Sequence, residues 1–285
     1  MKKKTKIGFI GQGWIGKNYA DDFEERGFDI VRYSKEPEYV SNKDKITECD
    51  IVFVAVPTPT TPNGFDGSIV ASVLSLVGKE KIAVIKSTIL PGDTELLQKK
   101  YPDIFIFHNP EFLVETSARF DASNPKRNII GFPFDTEVYR QKAKEVMNIL
   151  PKAPYNKIVP SNYSEFIKYA GNCFLYSKVV FVNLLHDIAN KLDVDWATAK
   201  EIISADLRIG DSHMEPLHKS GRGAGGDCFI KDFAAFKQMY DSLVGDSKGM
   251  SVLKAIEDKN IDLLLSSEKD LDLLSLVYGD DIIKK

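Results

Sequence analysis

Lys6-Ile7-Gly8-Phe9-Ile10-Gly11-Gln12-Gly13-Trp14-Ile15-Gly16 decides the fold. Lys6–Ile10 reads as a short apolar strand, three glycines follow it, and a helical pattern opens behind them. In that order the segment is a dinucleotide fingerprint rather than a bare glycine repeat. Gly11 is expected to make the tight turn and Gly13 to admit a pyrophosphate, with Trp14 and Ile15 beside it. Gly16 then lets helix and strand pack closely, while the helix N-terminus supplies N–H groups and positive potential.

Outward from this segment, short β-branched runs alternate with helical patterns, which predicts a parallel sheet wrapped by helices. Strands are expected at Lys6–Ile10, Asp29–Tyr33, Ile51–Val56, Ile82–Lys86, Ile104–Phe107 and Arg127–Gly131. Ile51–Val56 is apolar without alternation, as a strand buried on both faces should be. The second strand should end in an acidic residue that holds the adenosine ribose, but that position falls on Ser34, between Arg32 and Lys35. A missing carboxylate beside cations suits a 2′-phosphate, so NADP stays open on these residues.

Pro151, Pro154 and Pro160 cluster between Leu150 and Ser161, and the domain boundary is placed there. The fold class expected is α/β: a Rossmann-type doubly wound sheet over 1–155, followed by an all-helical domain over 156–285 with a long central helix. That helix is read from about Ser161 to Leu192, with Asn162 and Glu165 at capping-box spacing. Phe166, Ala170, Cys173, Phe174, Phe181, Leu184, Leu185 and Ile188 form one apolar stripe. Lys168, Asn172, Tyr176, Val179 and Asn183 form a second, more polar one, which suggests a wet cleft, an interface or plain surface. From Phe233 the chain reads as helical, with breaks at Gly245 and Gly249.

The 285 residues suffice for two cores, and a net charge of -3 argues against a nucleic-acid partner. Lys2-Lys3-Lys4 is a short basic start without a signal-peptide core behind it. No apolar run approaches a membrane span. Cys49, Cys173 and Cys228 form neither a disulfide framework nor a zinc-ligand spacing, and no metal is expected. A soluble cytoplasmic protein fits these features.

A second glycine-rich stretch carries chemistry of its own: Gly221-Arg222-Gly223-Ala224-Gly225-Gly226-Asp227-Cys228-Phe229-Ile230-Lys231-Asp232. Here a thiol sits on a glycine loop beside a lysine and an aspartate. Such a thiol can attack a carbonyl carbon and form a covalent intermediate. With the N-terminal fingerprint, this suggests a dehydrogenase that works through an enzyme-bound thioester.

Val56-Pro57-Thr58-Pro59, Lys86-Ser87-Thr88 and Asn109-Pro110-Glu111-Phe112-Leu113 fall between the two glycine motifs. With all five in this order, the chain resembles the UDP-glucose/GDP-mannose dehydrogenase family across roughly residues 6–240. The resemblance implies an NAD-dependent oxidation of a sugar C6 alcohol to a carboxylate, with UDP-glucose as the substrate. It implies that Cys228 is the nucleophile, that Lys168 and Asp232 handle the alcohol proton, and that Asn172 binds the oxyanion. Lys168 and Asn172, four residues apart, share a helix face. Glu111 is implied as the activator of water for thioester hydrolysis, aided by Thr88. Val56, Pro57, Thr58, Thr88, Glu115 and Lys231 are implied to line the cofactor with Gly11–Gly16, Ser34 and Lys35. Phe112, Leu113, Lys168, Asn172, Arg208, Gly223 and Gly225 are implied to touch the nucleotide sugar. The resemblance further implies a homodimer through the long helix, with Arg208 reaching the neighbouring site. His108, His186, His213 and His218 match no required role.

The chain also departs from that pattern. The stretch between Tyr33 and Asp50 is short, Ala224 stands where an aromatic is common, and Phe233–Lys285 is too short for the usual third, nucleotide-gripping domain. Two alternatives therefore stay beside the first reading: a two-domain dehydrogenase of a smaller hydroxy compound, and a non-catalytic binding homologue.

Overall fold

A computed structural model describes residues 5–284, and the basic start Lys2–Lys4 lies outside the described residues. The chain divides into two compact units: one comprises the chain up to Thr58 with Gly67–Lys168, the other Pro59–Asp66 with Tyr169 onward.

In the first unit β1 (Lys6–Ile10), α1 (Trp14–Glu25), β2 (Asp29–Tyr33), β3 (Ile51–Val54), α2 (Ser68–Leu74) and β4 (Ile82–Ile85) come first. Then come α3 (Asp93–Lys100), β5 (Phe105–His108), α4 (Ala118–Ser123), β6 (Arg127–Phe132), α5 (Glu137–Ile149) and β7 (Tyr155–Pro160). The sheet has seven strands in the order β2-β1-β3-β4-β5-β6-β7. Every pairing is parallel except β5 with β6. All four residues of β3 are buried, as a central strand between two helical layers requires. Phe9, Phe23 and Phe53 pack in its core, with ring centroids 5.1 to 5.5 Å apart.

The expected strands all form, two with the expected bounds and the other four with ends shifted by at most two residues. Within the proline-rich segment after Leu150, where the domain boundary is placed from sequence, Tyr155–Pro160 forms a seventh strand. It lies at the edge of the sheet and pairs with β6 from Arg127↔Tyr155 to Phe132↔Pro160. An edge strand tolerates proline where a central one cannot.

α6 (Ser161–Lys191) follows at once. Its Glu165 does not close a capping box on its own helix. The carboxylate is fully buried and accepts the Gly92 N–H at 2.7 Å, the Thr94 N–H at 2.9 Å and the Thr94 hydroxyl, so it caps α3 instead.

The second unit is helical. It holds most of α6, then α7 (Trp196–Ser204), α8 (Gly226–Leu243), α9 (Ser247–Ser266) and α10 (Leu271–Tyr278), with two short antiparallel hairpins. Gly245, at φ +65°, separates α8 from α9. Gly249 is no break, since Asp246 caps α9 by accepting its N–H at 2.7 Å. Tyr176 stacks on Phe233 at 4.0 Å within this unit's core.

The two stripes of α6 differ in burial. Lys168, Tyr176, Val179 and Asn183 from the more polar stripe are buried. Phe166, Phe174, Phe181, Leu184 and Ile188 from the apolar one are exposed. Periodicity finds a stripe but does not tell which one faces the protein's own core.

Candidate active site

The ends of three strands build the dinucleotide cradle. Ile10 of β1 pairs with Tyr33 of β2 and Val54 of β3, so the residues that follow emerge side by side. Gly11 donates its N–H to Tyr33 O at 2.8 Å and turns at φ +90°, where a Cβ would stand 2.1 Å from Ala55 O. A Cβ on Gly16 would stand 1.9 Å from Gly11 O, so helix and turn touch through backbone alone. Gly13 has nothing within 4 Å of such a Cβ, which leaves room for a ligand. The first turn of α1 has no side-chain cap and no acidic residue, so its amides present unopposed positive potential. The order of the sheet reverses between β1 and β3, the position at which open α/β sheets take ligands. These residues fit a dinucleotide's pyrophosphate. Trp14 and Glu115 line one cavity of about 640 Å³ with Asn18 and Phe120.

On the ribose side, Ser34 Oγ accepts the Glu36 N–H at 3.2 Å and Lys35 is exposed. Arg32 is not available to a 2′-phosphate, because it is held by Asp21 and Glu24 at 2.6 Å each. Of the two cations that kept NADP open, Arg32 is thus already paired, while Lys35 stays exposed. Val56 is stapled to Ser87, whose Oγ accepts the Val56 N–H at 3.0 Å and donates to Val56 O at 2.7 Å. This fixes the Val56-Pro57-Thr58 loop beside the end of β4, where Thr88 is buried, as is Thr58 in the loop.

Glu111, on the segment after β5, is buried with Lys168 of α6. Lys168 Nζ donates to Glu111 Oε1 at 2.7 Å, and Glu111 Oε2 accepts the Leu113 N–H at 2.7 Å. Phe112 lies under both Arg127, at 3.8 Å from its ring centroid, and Lys168, at 5.9 Å. A second buried cation stands near this pair. Lys86 donates to Asn109 Oδ1 at 2.8 Å and lies 3.8 Å over the Tyr19 ring. Burial lowers its amine to about 7, against the opposing pull of Glu111. Neither Lys86 nor Asn109 has a role in the reading from sequence. The available signal was a charged residue closing the apolar run Ile82–Ile85. His108 is fully buried: its Nδ1 meets Ser164 Oγ at 2.9 Å, and burial pulls it down to about 3, so it is neutral.

In the second unit Cys228 stands in the first turn of α8, behind the glycine loop. One turn later comes Asp232, almost fully buried, which accepts from Asn172 Nδ2 at 2.6 Å and Lys231 Nζ at 2.5 Å. Cys228 is half-buried, whereas Cys49 and Cys173 are buried, and burial pushes both of those thiols up, Cys49 to about 11. Lys168 and Asn172 lie one turn apart on the continuous α6. Gly223 and Gly225 shape the loop, Gly223 at φ +89°. Arg208 is on the surface, its side chain 89% exposed and paired with Asp206 at 2.6 Å.

Residues 39–150 match the NAD binding domain of the UDP-glucose/GDP-mannose dehydrogenase family, and residues 162–261 match that family's central domain. The UDP-glucose 6-dehydrogenase AglM of Haloferax volcanii is 29% identical over 81% of this chain and 64% of its own length. A solved UDP-glucose dehydrogenase from Pyrobaculum islandicum is 26% identical, with a TM-score of 0.78 over 96% of this chain and 71% of that one. The 3-hydroxyisobutyrate dehydrogenase of Mycobacterium tuberculosis shares the fold, with a TM-score of 0.72 over 99% of both chains, at 14% identity. The chain spans about half the length of the curated relatives it matches, from 36% to 64%. Among the described residues no helix is long and apolar enough to cross a membrane. With the NAD binding and central domain models matched in sequence over 39–150 and 162–261, this chain belongs to the UDP-glucose/GDP-mannose dehydrogenase family.

Proposed function

We propose that this chain oxidises the C6 alcohol of a nucleotide sugar, UDP-glucose, to a carboxylate in two hydride transfers through Cys228. The observation that carries the reading is the thiol in the first turn of α8, with Asp232 one turn on, bound to Asn172 and Lys231. A helix N-terminus favours the negative charge of an attacking thiolate. The cofactor domain is taken as 1–155 and the helical domain as 156–285.

When bound, NAD would supply the hydride acceptor, a fresh molecule for each of the two oxidations. Lys168 and Asp232 take the alcohol proton through water, and the Lys168 ammonium holds the developing oxyanion, to which Asn172 also donates. The Cys228 thiolate then forms a C–S bond to the aldehyde carbon as the C=O π pair moves onto oxygen, which takes back the proton held by the water on Lys168 and Asp232 and gives a thiohemiacetal. Loss of the second hydride and of the hydroxyl proton leaves a thioester. Glu111 removes a proton from water, oriented by Thr88, as that water attacks the thioester. The C–S bond breaks, the thiolate is restored and the carboxylate leaves. Gly11–Gly16, Ser34, Lys35, Val56, Pro57, Thr58, Glu115 and Lys231 hold the dinucleotide, and Phe112, Leu113, Arg208, Gly223 and Gly225 hold the sugar nucleotide. The active form is a homodimer through α6.

Assaying NADH formation on a panel of UDP- and GDP-sugars tests the reading. Two NADH per sugar acid from UDP-glucose are expected, and Cys228→Ser should form no acid. One NADH per turnover on a small hydroxy acid, with Cys228→Ser fully active, would replace this reading by that of a simple hydroxyacid dehydrogenase.

A further inference from the structure

The glycine loop in front of Cys228 is gripped from one side by residues that no reading above gives a role. Asn260 on α9 donates from Nδ2 to Ala224 O at 2.9 Å and accepts the Ala224 N–H at 2.6 Å, as a neighbouring strand would. Ser267 Oγ accepts the Arg222 N–H at 3.0 Å. Lys269, only 3% exposed, donates its ammonium to Gly223 O at 2.9 Å. Asp270 Oδ2 accepts the Gly226 N–H at 2.8 Å.

That last contact caps α8 from outside. Gly225, the N-cap of α8, has no side chain with which to satisfy the first amides, and the Asp270 carboxylate satisfies one of them, Gly226 N–H, across 44 residues of chain. The fit leaves no slack: a Cβ on Gly225 would stand 1.9 Å from Asp270 Oδ2, and one on Gly221 would stand 2.4 Å from Ser267 Oγ. Ser267, Lys269 and Asp270 form the turn between α9 and α10, beyond the residues 162–261 that match the central domain. A buried ammonium on a backbone carbonyl and a carboxylate on a helix amide are charge-assisted bonds, stronger than neutral ones.

We infer that the α9–α10 turn, with Asn260, is a positioning clamp that sets the glycine loop and thereby the place and exposure of the Cys228 thiol. The inference rests on the proposed role of Cys228 for its catalytic meaning, but the clamp can be read without substrate or cofactor. Cys49 and Cys173 are buried, so alkylation of the folded protein by iodoacetamide, followed at the Cys228 peptide by mass spectrometry, reports the one half-buried thiol.

Labelling rates are measured from pH 6 to 10 for the whole chain and for Asp270→Ala, Asp270→Asn and Ser267→Ala, each checked for native circular dichroism. The plateau rate at high pH reads access, separately from any change in thiol charge. Asp270→Ala is expected to raise that plateau at least threefold, while Asp270→Asn, which keeps an oxygen acceptor for the Gly226 N–H, stays within twofold of the parent. Equal plateaus for the parent and a folded Asp270→Ala overturn the clamp. So do equally raised plateaus for Ala and Asn, because the acceptor then holds nothing. Should Asp270→Ala not fold, Ser267→Ala carries the same two outcomes through the Arg222 N–H. A clamp effect on labelling in a chain that reduces no NAD would keep the clamp and remove the catalytic reading.

Discussion

Lys168 Nζ lies 2.7 Å from Glu111 Oε1, with both side chains no more than 5% exposed. The pair joins the group proposed to take the alcohol proton to the one proposed to activate water. Removing either partner outright would leave an uncompensated buried charge, at about 3–5 kcal/mol of stability. Glu111→Gln is the gentler change, since its amide oxygen still accepts from Lys168. It should fold with a loss of about 1–3 kcal/mol. Its kcat should fall on the order of a hundredfold as the water loses its base. Intact mass after mixing with NAD and UDP-glucose should then show an acyl adduct on Cys228. Undiminished turnover would exclude Glu111 from hydrolysis.

Lys168 and Asp232 should behave as one unit if both meet the same alcohol or its water. Lys168→Met and Asp232→Asn are each expected to lower kcat on the order of a hundredfold or more, and the double variant by little beyond that. Multiplication of the two losses would count against a shared proton path. Thermal unfolding is measured alongside, because both side chains are buried.

The ribose side gives a third test. Ser34 follows Tyr33, whose carbonyl accepts the Gly11 N–H, and Arg32 is spoken for by Asp21 and Glu24. Ser34→Asp should shift the ratio of kcat/KM for NAD over NADP upward by about tenfold, about 1.4 kcal/mol. An unchanged ratio would mean that the ribose is held elsewhere.

Lys86 ties stability to pH. Its amine is lowered to about 7 in the fold from an ordinary 10.5, chiefly by burial. Between those values the unfolded chain binds the extra proton, so this group makes stability rise with pH from about 7 toward 10.5. Below about 7 both states are protonated and the dependence vanishes. Urea unfolding of the parent and of Lys86→Met should therefore give a stability difference that moves in the parent's favour across pH 7 to 9. The slope should approach about 1.4 kcal/mol per pH unit. A difference flat with pH would show that Asn109 and the Tyr19 ring keep Lys86 charged.

The strands of the first unit were legible because parallel-sheet strands carry continuous apolar runs, and the cradle because glycines at Gly11, Gly13 and Gly16 have few other uses. The strand Tyr155–Pro160 is not legible because clustered prolines mark a domain boundary, although an edge position accommodates them. Glu165 has the spacing of a local cap, while its carboxylate serves Gly92 and Thr94, over seventy residues away in sequence. Lys86 and the Asn260–Asp270 clamp share that difficulty. Each works through partners brought together only by tertiary folding, and no spacing in the sequence announces them.

The exposed stripe of α6 leads to the last prediction. Phe174 is 72% exposed, Phe181 60% and Ile188 57%, on a helix of 31 residues, about 45 Å long. Scattered exposed apolar side chains are ordinary, but a contiguous row of large ones on one helix face marks an interaction surface. A second copy of the same helix offers a self-complementary partner across a two-fold axis. Light scattering at micromolar concentration should give a dimer, and Phe174→Glu with Phe181→Glu should give a folded monomer of reduced activity. Arg208, 89% exposed at its side chain, should then act at the neighbouring site. Arg208→Ala and Cys228→Ser proteins, each impaired alone, should regain activity when mixed and allowed to exchange subunits, since one site of the mixed dimer has both residues. A fully active monomeric parent protein would sink the dimer, and failed complementation within a proven mixed dimer would return Arg208 to a local role.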